Sequence, residues 1–211
     1  NHKCIRRYKK TFNCATQVRK KRPLNVKKKK EKSHLNMAPY IMNENFTATQ
    51  PLEKLSTDVS YIPCTDGLLY LSAVKDLFNN EIISYSLSTK NNIDLIKGTF
   101  ENLGNAPTSD SMINSDQGSL YYSAIYIEYL EEKGYLRSMS NRGHCWQNSP
   151  IENWFSQLKE ECIRINGLST KEETKDKIKG YVHWYNTERI QKDLGYTNPK
   201  QYKSDFYLVS T

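Results

Sequence analysis

The order of apolar and polar residues predicts an α/β fold: a mixed sheet with three antiparallel strands and flanking helices, preceded by a basic helical arm. Two observations carry this. Segments 55–63, 68–77 and 81–89 are enriched in apolar, β-branched and aromatic residues, with the turn signals Thr65-Asp66-Gly67 and Asn79-Asn80 between them; this reads as three consecutive antiparallel strands. Helical and strand patterns alternate beyond them, as in a sheet with helices packed on it. Charge is also partitioned. Residues 1–36 hold 14 Lys and Arg against the single acid Glu31, net +13, whereas residues 37–211 carry a net −5.

In residues 1–14, Ile5, Tyr8 and Phe12 fall at helical spacing opposite a basic face, so the segment reads as one helix. A lone amphipathic helix has no core of its own. Residues 15–50 are polar and strongly basic and read as a linker. Its runs Arg19-Lys20-Lys21-Arg22 and Lys27-Lys28-Lys29-Lys30 repel themselves, resist burial and suit phosphates. The core is read over 51–205. After the three strands come a helix over 93–103, a short strand over 112–115, a helix over 122–133 ended by Gly134, and a short strand over 136–139. A helix then opens near Pro150, with Ile151, Phe155, Leu158 and Cys162 forming an apolar stripe. A last long helix spans 170–189, with Ser169-Thr170-Lys171-Glu172-Glu173 as its start signal.

With 37% hydrophobic and 26% charged residues, the composition suits a soluble globular protein. No apolar run approaches the ~20 residues of a membrane span. The basic start is not followed by the apolar stretch of a secretory signal. A start at Asn1 rather than Met is compatible with a fragment. Five scattered cysteines, an odd number, argue for reduced thiols and against a disulfide framework. A zinc site can be drawn from His2, Cys4, Cys14 and His34, but no Cys-x-x-Cys or close His pair supports it.

Three acids stand out by position. Asp58 lies inside the first strand, Asp116 follows the short strand ending at Ser115, and Glu152 falls in the first turn of the helix beyond Pro150, with 35 residues between the last two. Acids from three elements can converge to hold hard divalent cations for phosphoryl transfer. Spacing alone is weak evidence in a chain with 23 acids. For Glu152 there is a local rival. Ser149-Pro150-Ile151-Glu152 has the form of a capping box, with Ser149 at the N-cap and Glu152 reaching back to its amide. Asp66 reads as turn chemistry, and Asp76 is the substitute should Asp58 not serve.

The surroundings of these acids supply the context. Thr57-Asp58-Val59-Ser60-Tyr61-Ile62, Ser115-Asp116-Gln117-Gly118, the stretch from Asn141-Arg142-Gly143-His144-Cys145-Trp146-Gln147-Asn148 through Ser149-Pro150-Ile151-Glu152-Asn153 to Lys159, and Trp184-Tyr185-Asn186-Thr187-Glu188-Arg189 through Tyr196 with Pro199 stand in this order. Together they resemble the catalytic and C-terminal blocks of the second-frame transposase of IS3-type insertion sequences, a member of the D,D(35)E integrase class. The resemblance covers residues 50–203. Asn114 stands where the family commonly has His, and Gln147 where it commonly has Asp.

The resemblance implies a ribonuclease H-like fold, with residues 1–14 as the end of a helix-turn-helix. It implies Asp58, Asp116 and Glu152 as catalytic, metal-binding residues for Mg²⁺, with Mn²⁺ as a substitute. DNA is the implied partner, both element terminal inverted repeats and target, bound by a homo-oligomer in the bacterial cytoplasm at the nucleoid. Lys27, Lys28, Lys29, Lys30, Arg142, Asn148, Lys159 and Arg189 are expected to face that DNA, with Arg189 alternatively pairing with an acid. His144 is a weaker candidate as proton carrier, Trp146 could stack on an unpaired base, and Trp154 is expected in the core. The chemistry implied is hydrolytic end cleavage followed by attack of the freed 3′-OH. Two other readings stay open: a truncated, inactive DNA-binding remnant that represses transposition, and a plain ribonuclease H-like nuclease, which leaves the C-terminal block unexplained.

Overall fold

The computed structural model describes residues 2–12, 36–101, 103–165 and 167–209. They belong to two units, 1–34 and 35–211. In the first, helix α1 (His2–Thr11) leaves its apolar residues Ile5 and Tyr8 exposed. Lys27, Lys28, Lys29 and Lys30, with Cys14 and His34, lie outside the described residues.

The second unit is built on a five-stranded sheet of order β3-β2-β1-β4-β5. Strand β1 (Lys54–Cys64) turns into β2 (Gly67–Asp76) through a two-residue loop, pairing Cys64 with Gly67 and Leu55 with Asp76. Gly67 sits at φ +126°, open to glycine far more readily than to other residues. Strand β3 (Ile82–Ser88) follows antiparallel, after Asn80 takes a left-handed conformation. Strand β4 (Met112–Ser115) then pairs parallel with β1, setting Ser56 against Asn114, and β5 (Leu136–Met139) extends the sheet parallel to β4.

Helices cover both faces. On one side α2 (Ile93–Phe100) and α3 (Ala124–Lys133) pack Ile96, Phe100, Tyr126 and Leu130 against Leu55, Val74 and Ile113. On the other, α4 (Ser149–Leu158) and α5 (Lys171–Thr187) pack Ile151, Trp154, Phe155, Leu158, Ile178 and Tyr185 against Ile62, Leu71 and Ala73. Alternation along β1 therefore turns Asp58, in phase with Ile62, toward the α4 side. Trp154 is fully buried there, as expected of a packing residue.

Several expectations are refined. The 93–103 helix stops at Phe100, and the helix expected from 122 begins at Ala124 as α3, with Tyr122 belonging to a separate 3₁₀ turn, Ser119–Tyr122. Ser123 divides them because its backbone is extended and its hydroxyl accepts the Tyr126 N–H, starting a new helix. Residues 36–50, expected within the linker, lie in the second unit. Ala38 and Met42 are buried, and the N–H groups of Ile41 and Met42 donate to Ser138 Oγ at 3.2 Å each. The basic composition of 15–50 masks these two apolar anchors. Helix α5 starts as its sequence signal predicts, with a full capping box between Thr170 and Glu173. A final helix, α6 (Pro199–Val209), has no counterpart in the sequence reading. It is tied down by Asn79 Nδ2, which donates to Pro199 O, and by the Lys203–Glu81 ion pair. Among the described residues no helix is long and apolar enough to cross a membrane.

Candidate active site

Asp58, Asp116 and Glu152 come from three elements that meet on the α4 face of the sheet. Asp58 lies mid-strand in β1, its Oδ1 accepting the Val59 N–H at 2.7 Å. Asp116 follows the last residue of β4, and its Oδ1 accepts the Gly118 N–H at 2.7 Å. That turn is a tight fit. A Cβ on Gly118 would stand 2.8 Å from the same oxygen, so the motif needs glycine for space.

The acids feel one another. Burial, followed by the charge of Asp116, pushes the Asp58 carboxyl up to about 7; Glu152 adds to the rise, while the Val59 N–H and Lys159 oppose it. Glu152 is likewise raised, by burial and then by Asp116. Beneath them the buried phenol of Tyr121 is pushed well up, by burial first and then by Asp58 and Asp116. Like charges crowded in a partly desolvated pocket suit a hard cation, and three carboxylates are the donor set that Mg²⁺ or Mn²⁺ takes. As they stand, no three His, Cys, Asp or Glu side chains among the described residues are gathered tightly enough to enclose an ion.

Glu152 does not form the capping box. Cys145–Asn148 is a 3₁₀ turn running directly into α4, so Ser149 is already helical (φ −54°, ψ −33°) instead of extended. Asn148 takes the cap position, and no side chain caps the helix there. Glu152 thus falls one position further into the helix than a box requires.

The DNA-facing expectations divide. Arg142 is exposed in the loop ahead of α4, where its carbonyl lies 3.0 Å from Nδ1 of the exposed His144. Lys159, at the end of α4, lies 5.0 Å over the Tyr61 ring and close enough to Asp58 to lower its pKa. Trp146 is half exposed, its indole N–H donating to Glu44 at 2.8 Å. Asn148 is a correction. It is 1% exposed, its carboxamide being consumed by Ser56, Asn114 and the Thr57 carbonyl, so it cannot reach a nucleic acid. Arg189 is the second: its guanidinium forks onto Glu161, with Nε at 3.1 Å and Nη2 at 2.7 Å, the acid-pairing alternative. Asp76 also falls away as a substitute ligand. It sits at the opposite end of the β1–β2 pair from the loop, its carboxylate accepting the N–H groups of Leu52 and Phe78 at 2.9 Å each. Asp66 accepts the Lys171 N–H, joining turn chemistry to the start of α5.

Sequence reasoning missed four contributors. Tyr121 underlies both aspartates, Ser56 anchors Asn148, and Glu161 receives Arg189. Lys75, buried below α4, donates to the Pro150 carbonyl at 3.3 Å. Only Gly118, inside the Ser-Asp-Gln-Gly motif, carried a readable signal. The two departures from the family pattern, Asn114 and Gln147, are both buried: Asn114 Nδ2 donates to the main-chain carbonyl of Gln147 at 2.8 Å, and Gln147 Oε1 accepts the Asn141 N–H at 2.7 Å. The Gln147 side chain thus braces the loop at Asn141, while Asn114 holds its main chain.

Two models described as "Integrase core domain" match the chain, over residues 48–145 and 152–206. A protein described as "Uncharacterized transposase-like protein" from Haemophilus influenzae is 39% identical over 80% of this chain and 79% of its own length. InsK of insertion sequence element IS150 from Escherichia coli K12 is 34% identical over 99% of this chain and 73% of its own length. Among solved structures, a chain of the simian T-cell lymphotropic virus intasome in complex with PP2A regulatory subunit B56 gamma superposes with a TM-score of 0.61 at 14% identity, covering 74% of this chain and 56% of that one. The HTLV-2 integrase catalytic core domain in complex with magnesium gives 0.51 at 16% identity, covering 74% of this chain and 98% of that one. The fold of the second unit is therefore ribonuclease H-like.

Proposed function

The chain belongs to the IS3-type insertion-sequence transposases with an integrase core domain, and from that premise we propose that it cuts element ends and joins the freed 3′-OH to target DNA, with Asp58, Asp116 and Glu152 as ligands of divalent cations. The observation that carries this is the meeting of these acids on one sheet face, where the charge of Asp116 is felt by both Asp58 and Glu152. Mg²⁺, with Mn²⁺ able to replace it, would activate the attacking oxygen and stabilise the leaving one. Asp58 would supply its oxygens from β1, Asp116 from the turn that follows β4, and Glu152 from α4. The main-chain N–H groups of Val59 and Gly118 each hold one aspartate oxygen in place. Lys159 lies beside the acids, where its ammonium suits a DNA phosphate. Arg142, exposed in the loop ahead of α4, would touch the strand near the cut.

In this reading residues 1–14 are the end of a helix-turn-helix, the basic segment after it contacts DNA phosphates, and the core acts as a homo-oligomer bridging element ends and target at the bacterial nucleoid. Retention of all three acids favours the enzyme over an inactive remnant. A strand-transfer assay on labelled element ends tests the proposal. Joining is expected with Mg²⁺ or Mn²⁺ and to disappear in Asp58→Asn, Asp116→Asn and Glu152→Gln while DNA binding persists. Joining by any of these variants would remove that residue from the ligand set.

A further inference from the structure

One buried side chain touches the backbone neighbourhood of all three carboxylates. Asn148 Oδ1 accepts Ser56 Oγ at 2.7 Å and Asn114 Nδ2 at 3.1 Å, while its Nδ2 donates to the Thr57 carbonyl at 3.1 Å. Thr57 immediately precedes Asp58, Asn114 stands two residues before Asp116, and Glu152 is four residues, one helical turn, after Asn148. The orientation of the network is fixed further out, because Asn114 Oδ1 accepts Ser138 Oγ at 2.9 Å from β5. All four side chains are at most 1% exposed.

The arrangement is made at the expense of ordinary helix chemistry. Asn is among the best N-cap residues because its side-chain oxygen accepts a first-turn N–H. Here Asn148 holds the cap position and makes no such bond. Its carboxamide points sideways into the β1–β4 seam, so it fixes α4 relative to those strands instead of terminating the helix.

We infer that Asn148 is the positioning residue of the site: its carboxamide sets where Glu152 stands relative to Asp58 and Asp116, and thereby the affinity of the three acids for a divalent cation. The inference rests on the reading of those acids as ligands. Cation affinity is sensitive to such support, because ligands displaced by about 0.5 Å no longer share one ion well. Removing the carboxamide also takes away the bonds to the buried Ser56 hydroxyl and Thr57 carbonyl of β1, while Asn114 Nδ2 on β4 keeps the Gln147 carbonyl and Ser140 Oγ, so the seam loses its tie between the strands and α4.

The test uses the full chain without DNA, measuring Mn²⁺ binding from the free-Mn²⁺ electron paramagnetic resonance signal, alongside the Mn²⁺ dependence of strand transfer. Asn148→Ala should weaken Mn²⁺ binding about tenfold or more, with saturating Mn²⁺ restoring much of the rate and DNA affinity unchanged. Ser56→Ala removes one of the three bonds and should shift binding in the same direction by less. If Asn148→Ala does not fold, as judged by circular dichroism, Ser56→Ala decides, and wild-type Mn²⁺ affinity in it overturns the inference. Wild-type affinity in a folded Asn148→Ala, or a rate loss that saturating Mn²⁺ does not relieve, overturns it too. Asp116→Asn separates the two claims. If the unaltered chain binds no Mn²⁺, or Asp116→Asn binds it normally, the ligand reading fails and takes this inference with it. Binding lost in Asp116→Asn but intact in both network variants overturns positioning alone.

Discussion

A methyl group on Gly118 would stand 2.8 Å from Asp116 Oδ1 and 3.4 Å from the Tyr121 ring. Gly118→Ala should therefore displace one proposed ligand while leaving the core intact: strand transfer should fall by an order of magnitude or more, as for other misplaced catalytic groups, with a melting temperature within a few degrees of the parent. Normal transfer by a correctly folded Gly118→Ala would show that the Asp116 oxygen tolerates movement. Asp58 makes a prediction through pH. Its folded pKa, about 7, lies above its ordinary value of 3.8, so the folded state binds the proton more tightly than the unfolded state. Stability in chelator should be greatest near pH 4 and decline as pH rises toward 7, with buried Asp76, raised to about 6, acting in the same sense. Asp58→Asn should flatten that decline and melt no lower than the parent at pH 7.5. A parent protein whose melting temperature in chelator rises from pH 5 to 7.5 would contradict the crowding of these acids.

At the scale of elements, α4 is tied at both ends to other parts of the fold. Its start is fixed by Asn148, and its far end passes into a π-helical turn, Lys159–Arg164, that carries Glu161. Arg189 and Tyr181 OH both bond Glu161, and the Arg189 guanidinium lies over the Tyr185 ring. Asn186 exchanges two hydrogen bonds with the backbone of Ile82 at the start of β3. The C-terminal block is thus a latch from α5 onto the end of α4 and the sheet edge. Arg189→Ala should cost about 2 kcal/mol, the range for a hydrogen-bonded charge partner, read by denaturant melts, with the salt dependence of DNA binding unchanged. Arg189→Lys should recover only part of this, because an ammonium cannot fork onto a carboxylate. A lowered salt slope in Arg189→Ala would return this residue to the DNA surface.

For the whole molecule, charge divides the labour: net +13 in residues 1–36 against −5 in the remainder. In the proposed function the second unit brings acids to a polyanion, so affinity is expected from the basic segment. Replacing Lys27 to Lys30 with Ala should weaken binding to all DNA sequences alike and reduce the log–log salt slope by roughly one unit for each phosphate left without its lysine. A weakening confined to one sequence, with the slope unchanged, would assign those lysines a base-reading role.

What the sequence by itself determined was whatever depends on local pattern. The three-strand meander followed from alternation and the Asp66-Gly67 and Asn79-Asn80 turns, and the start of α5 from its capping box, while the motifs around the three acids marked them as candidates. The polar interior was not legible in this way. Asn148 and Arg189 have the chemistry of nucleic-acid contacts, and only burial against Ser56 and Asn114, or pairing with Glu161, gives them structural work. Ser149 has the sequence of an N-cap, but the 3₁₀ turn Cys145–Asn148 feeds the helix one residue earlier. Short-range patterns encode backbone conformation because their partners lie within a few residues. The partner of a buried amide lies some 90 positions away in Ser56, and only the folded sheet brings the two together.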